Sequence, residues 1–555
     1  MKQPTSISRR HFLGSIGKVA GSSVMLKAAA AIGLTMTVSG CGASNASELP
    51  PVTPPPTDPV TPTPTDPPTP PPAVNPDPRP SDWPQGSGNN RTVTILGSGI
   101  AGMTAAFEMN KLGYQCTILE ATARAGGRCR TIRAGDTIEE TDSVQSCQFD
   151  NDPTLYFNPG PSRIPHHHDL LLGYCRQFAI ELETFTNENR AALYHSTNAF
   201  NGQPQLARRV IADSRGYISE LLSTAVNQNA LDQALTTQER TDIIEMLKSY
   251  GALSPNSSYT GSNRAGFEGQ ENTGGTGRNT PIAPLDLTEI LNSDFWQYQT
   301  SFAETINQQP TLLQPVGGMD KIAKAFEQQV ADNITYQAVV TQILKTDSGV
   351  RIVYQDQTGS DVVVESDYCI CTIPATVLKN IDADFSPAHQ NEIDNFNYAN
   401  PCKIAFQSRR FWEQEHNIYG GISWTNQNIT QIWYPNSGFG RDQGVIVGAY
   451  TFGSNAGDSF AILSPQQRLN TGITQANQLH PQYGNEVTNG ISICWPKVPF
   501  QLGGWGTSAA NNLLNADGNI YFAGEHLSNL KGWQEGAILS AYHAVNGIVE
   551  RDTML

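Results

Sequence analysis

Arg163 stands in the run YFNPGPSRIPHHHDLL, which begins at Tyr156, between a Gly-Pro and an Ile-Pro. Proline stiffens the backbone on both sides, and the apolar neighbours predict a fixed, partly enclosed position. A guanidinium cannot shed its proton and is seldom buried without an anion. Its partner is then either a protein acid, such as Asp169 or Glu181, or a ligand. Lys403 raises a similar question in NPCKIAFQSRRFW, because an ammonium between Cys402 and Ile404 in an apolar strand is costly to bury. The triplet His166–His168 invites a metal. Consecutive residues on a helix point about 100° apart and cannot converge on one ion. No acid or Cys cluster completes a site, so no metal is expected.

A second group of residues has order as well as type. In RTVTILGSGIAGMTAAFEMNKLGYQCTILEATARAGGRCRT, TVTIL is a β-branched run suited to a buried strand. GSGIAG then supplies Gly97, Gly99 and Gly102, an apolar-periodic helix runs to Leu112, and QCTILE forms a second strand ending in Glu120. Such glycines allow a tight turn, close approach of a pyrophosphate and close helix–strand packing, while the helix N-terminus offers free N–H groups. Glu120 can accept hydrogen bonds from a ribose hydroxyl. Strand, helix, strand and acid in that order predict a dinucleotide site. The next residues add Gly126 and Gly127 with Arg124, Arg128 and Arg130, which suits a longer cofactor whose phosphates continue past the first loop; a basic surface loop is the plain alternative. Far along the chain, GNIYFAGEHLSNLKGWQEGAILSAYHAVNGI gives a strand, the pair Gly524-Glu525 and a helix. No second GxGxxG for a nicotinamide is present, so the substrate itself is expected to reduce the cofactor.

The elements that must hold these residues occupy only part of the chain. SISRRHFLGS, with Arg9-Arg10 before a weakly apolar run, has the pattern of a twin-arginine export signal. It ends in VSGC, which resembles a bacterial lipobox and makes Cys41 the expected lipidated residue, anchoring an exported protein to the membrane. Sixteen of the 36 prolines lie between Pro50 and Pro80. Such a run favours extended polyproline II and would span roughly 90 Å over about thirty residues, a spacer. A net charge of −16 argues against nucleic acid as a partner. The nine cysteines specify no disulfide framework, although Cys369 and Cys371 alternate like buried strand residues. No residue pattern sets an oligomeric state, and a homo-oligomer stands among the expected partners.

GPSRIPHHHDLLLGYCRQFAIELETFTNEN, PVGGMDKIAKAFEQQV, NPCKIAFQSRRFW, GVIVGAY and FAGEHLSNLKGW occur in the order seen in flavin-dependent L-amino acid oxidases. The chain resembles that family, within the wider monoamine oxidase-like flavoproteins, from Thr92 to Val549. The likeness is weakest over about a hundred residues after Phe200, where SPNSSYTGSNRAGFEGQENTGGTGRNTP is too rich in Gly, Ser and Asn to be wholly helical. The resemblance implies a mixed α/β fold with a Rossmann-like FAD-binding domain, a discontinuous substrate domain and a helical insertion. The expected organisation is a signal with lipobox over 1–41 and a linker over 42–88. FAD-binding segments follow at 89–135, 314–395 and 510–552, substrate segments at 136–200 and 396–509, and the insertion at 201–313.

The resemblance also assigns roles. FAD would lie against Gly97, Gly99, Gly102, Glu120, Ala121, Arg128, Gly160, Pro161, Ser162, Arg163, Val340, Gly524, Glu525 and Trp533. Without the Cys that covalently flavinylated relatives carry before their final helix, the cofactor would be non-covalent. Arg163 would clamp the substrate carboxylate with help from Tyr450, Lys403 would hold a water beside flavin N5, and Gly532 and Trp533 would border flavin and substrate. His168 would serve as scaffold or pocket rim. The implied reaction passes a hydride from the α-carbon of an L-amino acid to N5, giving a 2-oxo acid, ammonia and, with dioxygen as acceptor, hydrogen peroxide; a quinone is the other acceptor. Amine or polyamine oxidation, amide-forming monooxygenation and FAD binding without turnover are the rival readings.

Overall fold

The computed structural model describes residues 79–231, 234–269 and 279–554. The export signal, Cys41 and the spacer up to 78 lie outside the described residues, as does 270–278 of the Gly-, Ser- and Asn-rich stretch. Residues 78–224 with 241–555 form one compact unit. The other grouping, 1–77 with 225–240, is described only over 225–231 and 234–240. There the helix Ala207–Asn227 ends and the helix Thr237–Gly251 begins.

Five parallel strands form the nucleotide sheet, in the order Ile334–Tyr336, Gln115–Glu120, Thr92–Leu96, Tyr368–Cys371, Ile520–Phe522. Their near-continuous apolar runs (Val93, Ile95, Ile118, Leu119, Ile370) are buried, as in a sheet covered on both faces. The helices Ile100–Lys111, Asp320–Val330 and Gln534–Thr553 share one core through Met103, Ala106, Met109, Ile322, Phe326, Ile538, Ala541 and Val545. The fold is thus the expected α/β arrangement, assembled from segments more than four hundred residues apart. Its start differs from the expected linker boundary at 88. Trp83 is already buried, its Nε1 donating to Asn546 Oδ1 at 3.2 Å and its ring meeting Tyr542 edge-on at 5.6 Å. An indole with a partner for its N–H gains more from burial than the prolines around it, so the folded body begins there.

A seven-stranded sheet lies in the middle of the sequence, in the order Val487–Cys494, Cys402–Arg409, Gln443–Tyr450, Gln431–Trp433, Ile422–Thr425, Leu193–His195, Gln205–Leu206. Cys402–Arg409 is buried along almost its whole length, which accounts for the unbroken CKIAFQS run. Register sets Lys403 directly opposite Tyr450 on one side, and Cys402 opposite Cys494 on the other, where the two cysteines form a disulfide. A smaller sheet joins Ile164–Pro165 and Leu182–Phe185 to the central strand Leu312–Pro315. That pairing brings the end of the 201–313 insertion beside Arg163.

Candidate active site

The nucleotide end is built by close backbone approach. Gly97 has φ +101°, and a Cβ there would stand 2.7 Å from Thr372 Oγ1; a Cβ on Gly102 would stand 2.0 Å from the Gly97 carbonyl oxygen. Strand and helix can meet this tightly only without side chains. Gly99 has no such neighbour and faces a cleft of about 660 Å³, within the usual range for small-molecule sites. Gly97, Gly99, Glu120, Ala121, Arg128 and Val340 line it, as do Gly160, Pro161, Ser162, Gly524 and Glu525; Gly102 serves only packing. Glu120 accepts from Ser98 N (2.9 Å) and Oγ (2.7 Å) on one oxygen, and from Thr122 N (2.9 Å) and Oγ1 (2.7 Å) on the other. A ribose hydroxyl would take the place of one of the two rotatable side-chain hydroxyls.

The two ends of the chain meet at Arg128. Its Nη1 donates to Gly504 O (2.6 Å) and to Glu525 Oε1 (2.8 Å), and Glu525 Oε2 accepts from Gly532 N (2.8 Å). Burial pushes the Glu525 carboxyl upward, but Arg128, His526 and the Gly532 N–H outweigh it and hold the group below the ordinary range. Of the three expected arginines only Arg128 lines the cleft. A cleft lined by glycine backbone, by a carboxylate at the end of the second strand and by an arginine held by an acid fits FAD.

At the other end stand Arg163, Tyr450, Phe452, Trp505 and Trp533. Arg163 is half-buried and lines the cleft. No acid pairs with it among the described residues; neither Asp169 nor Glu181 is its partner. Its Nε donates to Gln308 Oε1 at 3.0 Å, and its guanidinium lies 4.8 Å over Trp433 and 5.5 Å from Trp533. Burial lowers its pKa to about 10, against which the Tyr450 and Tyr298 hydroxyls act. Burial also raises Tyr450 to about 12, so its hydroxyl keeps its proton and can donate.

Lys403 differs from the rim position considered for it, being 3 % exposed. Its ammonium donates to Asn158 O (3.1 Å), Gly160 O (2.7 Å) and Ser162 Oγ (3.0 Å), so all three protons have protein acceptors. Burial, then repulsion from Arg163, holds its pKa well below the ordinary lysine value. It thereby pins the loop that carries Arg163. A water on this ammonium would compete with one of those acceptors. His168 does not reach the cleft. It lies behind Trp533 with rings edge-on at 5.1 Å, and His167 and His168 share Asn307 Oδ1 at 3.0 and 3.4 Å.

Sequence alone does not point to Ser98 and Thr122 around Glu120, to Gln308, Tyr298 and Trp433 around Arg163, or to Phe452 and Trp505 in the cleft wall. Trp505, which lines the cleft, follows a Gly-Gly pair, and Trp433, which meets the Arg163 guanidinium, sits in a short strand; these settings mark both as structured and say nothing of the site. Gln308 had no signal at all, because its role depends on the strand pairing that follows it.

Residues 100–549 match the family model described as flavin containing amine oxidoreductase. The L-amino-acid oxidase of Gloydius halys is 27% identical over 485 residues, covering 83% of this chain and 89% of the relative. That of Pseudechis australis is 26% identical over 493 residues, covering 84% and 88%. Among solved structures, putrescine oxidase bound to putrescine superposes with a TM-score of 0.54 at 16% identity, covering 83% of this chain and 99% of that one. Cyclohexylamine oxidase from Brevibacterium oxydans IH-35A also gives 0.54, at 14% identity. The matched span takes in Glu120 and the Arg128–Glu525 pair and most of the chain, and this chain belongs to the flavin-containing amine oxidoreductases.

Proposed function

We propose that the protein oxidatively deaminates L-amino acids: amino acid, dioxygen and water give a 2-oxo acid, ammonia and hydrogen peroxide. The observation that carries this reading is Arg163, a cleft-lining guanidinium whose Nε–H is taken by a neutral amide and which has no acid partner among the described residues. Its planar fork suits a bidentate carboxylate, and the Tyr450 hydroxyl can add a third hydrogen bond. The relatives named L-amino-acid oxidases, at 25–27% identity, support the same choice over a simple amine.

FAD, held non-covalently along the cradle from Gly97 to Glu525, supplies the two-electron acceptor for the substrate's Cα–H bond. The chain's own part is placement and charge. Arg163 and Tyr450 fix the carboxylate end and so aim the amine and Cα–H along the cleft. Aromatic walls exclude water, and that desolvation, with the nearby Arg163 cation, disfavours a substrate ammonium and lowers its pKa toward the reactive neutral amine. No strong base is required of any side chain.

A peroxide assay with L- and D-amino acids and with the matching amines tests this, together with identification of the product as 2-oxo acid or amide. Turnover of amines alone would remove the clamp reading. The protein is further proposed to work outside the cytoplasm, tethered through lipid on Cys41. The Cys402–Cys494 disulfide supports an oxidising compartment. Cys41→Ala should move the enzyme from membrane to soluble fraction with unchanged turnover; wild type found wholly soluble would defeat the tether.

A further inference from the structure

We infer that Gln308 is a positioning residue for Arg163, and that its neutral amide decides whether the site accepts amino acids or amines. The inference rests on reading Arg163 as the carboxylate clamp. Gln308 Oε1 accepts the Arg163 Nε–H at 3.0 Å, and Asn187, itself buried, orients the acceptor by donating to Gln308 O at 2.8 Å and to Oε1 at 3.4 Å. With Nε engaged and the Trp433 face 4.8 Å away, the guanidinium is restrained along one edge and one face. The free edge, carrying the two terminal nitrogens, is the edge that pairs with a carboxylate.

An amide satisfies the Nε–H without cancelling the positive charge. A carboxylate in the same place would also accept that hydrogen bond, but would supply the anion the arginine otherwise takes from the substrate. The chain uses acids elsewhere for this purpose: the buried Arg410 and Arg468 bond to Glu413 and Glu140. Gln308 is carried by the short helical turn Ile306–Gln308, whose Asn307 holds His167 and His168. The strand that follows, Leu312–Pro315, pairs with Ile164–Pro165 beside the arginine. The insertion therefore reaches the clamp at a point stitched to the arginine's own segment, and one residue there sets the clamp's net charge.

The test uses the FAD-loaded full chain and two variants, Gln308→Glu and the uncharged, similar-sized Gln308→Met. Gln308→Glu should raise KM for an L-amino acid by about 30-fold or more with kcat within about threefold, because binding common to ground and transition state is lost. The matching amine, which needs no clamp, should keep or gain kcat/KM. Gln308→Met, losing orientation but not charge, should fall between, at about 3- to 10-fold in KM. Calorimetry with phenylacetate as a carboxylate probe should show binding to wild type and none to Gln308→Glu. If Gln308→Glu does not fold, Gln308→Met carries the test through its KM effect. Wild type that binds phenylacetate while both variants match it, or equal losses for amino acid and amine, overturns the role of Gln308 alone. Wild type that binds no phenylacetate and oxidises only amines overturns the clamp reading, and this inference with it.

Discussion

Arg468 and Arg163 are two enclosed arginines with opposite circumstances. Arg468, on the helix Pro465–Ala476, is 0 % exposed and forms a two-pronged pair with Glu140, at 2.7 and 2.8 Å. Glu140 accepts in addition from Cys494 N at 2.8 Å, so that charge pair is closed within the protein. Arg163 has the same fork, is half-buried where it lines the cleft, and has no acid among the described residues. A fold that can place a glutamate against one buried guanidinium places a glutamine against the other. The difference separates a cation paired within the protein from one proposed to take its counter-ion from the substrate. That contrast with a completed pair in the same chain is the basis for proposing the Arg163 end of the cleft as the place for the substrate carboxylate.

The comparison can be broken at either arginine. Glu140→Ala should cost about 3–5 kcal/mol of stability, since it strands a guanidinium with no water to solvate it. A calorimetric melt of the purified variant reads this, with activity per folded molecule unchanged. The paired replacement Glu140→Leu with Arg468→Met should recover most of the loss, because removing both charges also removes the desolvation penalty. A Glu140→Ala melt like wild type would dissolve the contrast.

Arg163→Ala should leave the melt and the flavin spectrum nearly unchanged yet lose about 2–5 kcal/mol in amino acid kcat/KM, roughly 30- to 5000-fold. Arg163→Lys should recover little, lacking the planar fork. The matching amine should lose far less. A lowered melting temperature with equal losses for both substrates would move Arg163 into the same class as Arg468.

The smallest effect is expected at Lys403, which bonds to the protein as Arg468 does but stands at the cleft as Arg163 does. Lys403→Met should retain FAD and slow substrate oxidation, reoxidation of the reduced enzyme, or both by about tenfold. Rapid mixing that separates the two half-reactions shows which. A loss confined to KM for amino acids would mean that the lysine acts only by pinning the loop under Arg163. Rates equal to wild type in both half-reactions would deny it any role in the chemistry.

What the amino-acid sequence determined by itself is the part of the molecule written in local order. A strand, three spaced glycines, a helix and Glu120 lie within about thirty residues, so this part of the nucleotide half was legible from pattern alone. Arg163 was legible as an arginine in need of an anion, because rigid flanks and the cost of burying a guanidinium are local facts. That no acid of the described residues supplies the anion was decided only in three dimensions. Gln308 is 145 residues away and reaches Arg163 because Leu312–Pro315 pairs with Ile164–Pro165. Lys403 opposes Tyr450, and Cys402 opposes Cys494, through strand register. Trp83 left the expected linker for the core because Tyr542 and Asn546, at the far end of the chain, gave its ring and its N–H a place. Local pattern records what a residue needs; long-range pairing, whose entropy cost is met only by the whole fold, settles what it is given.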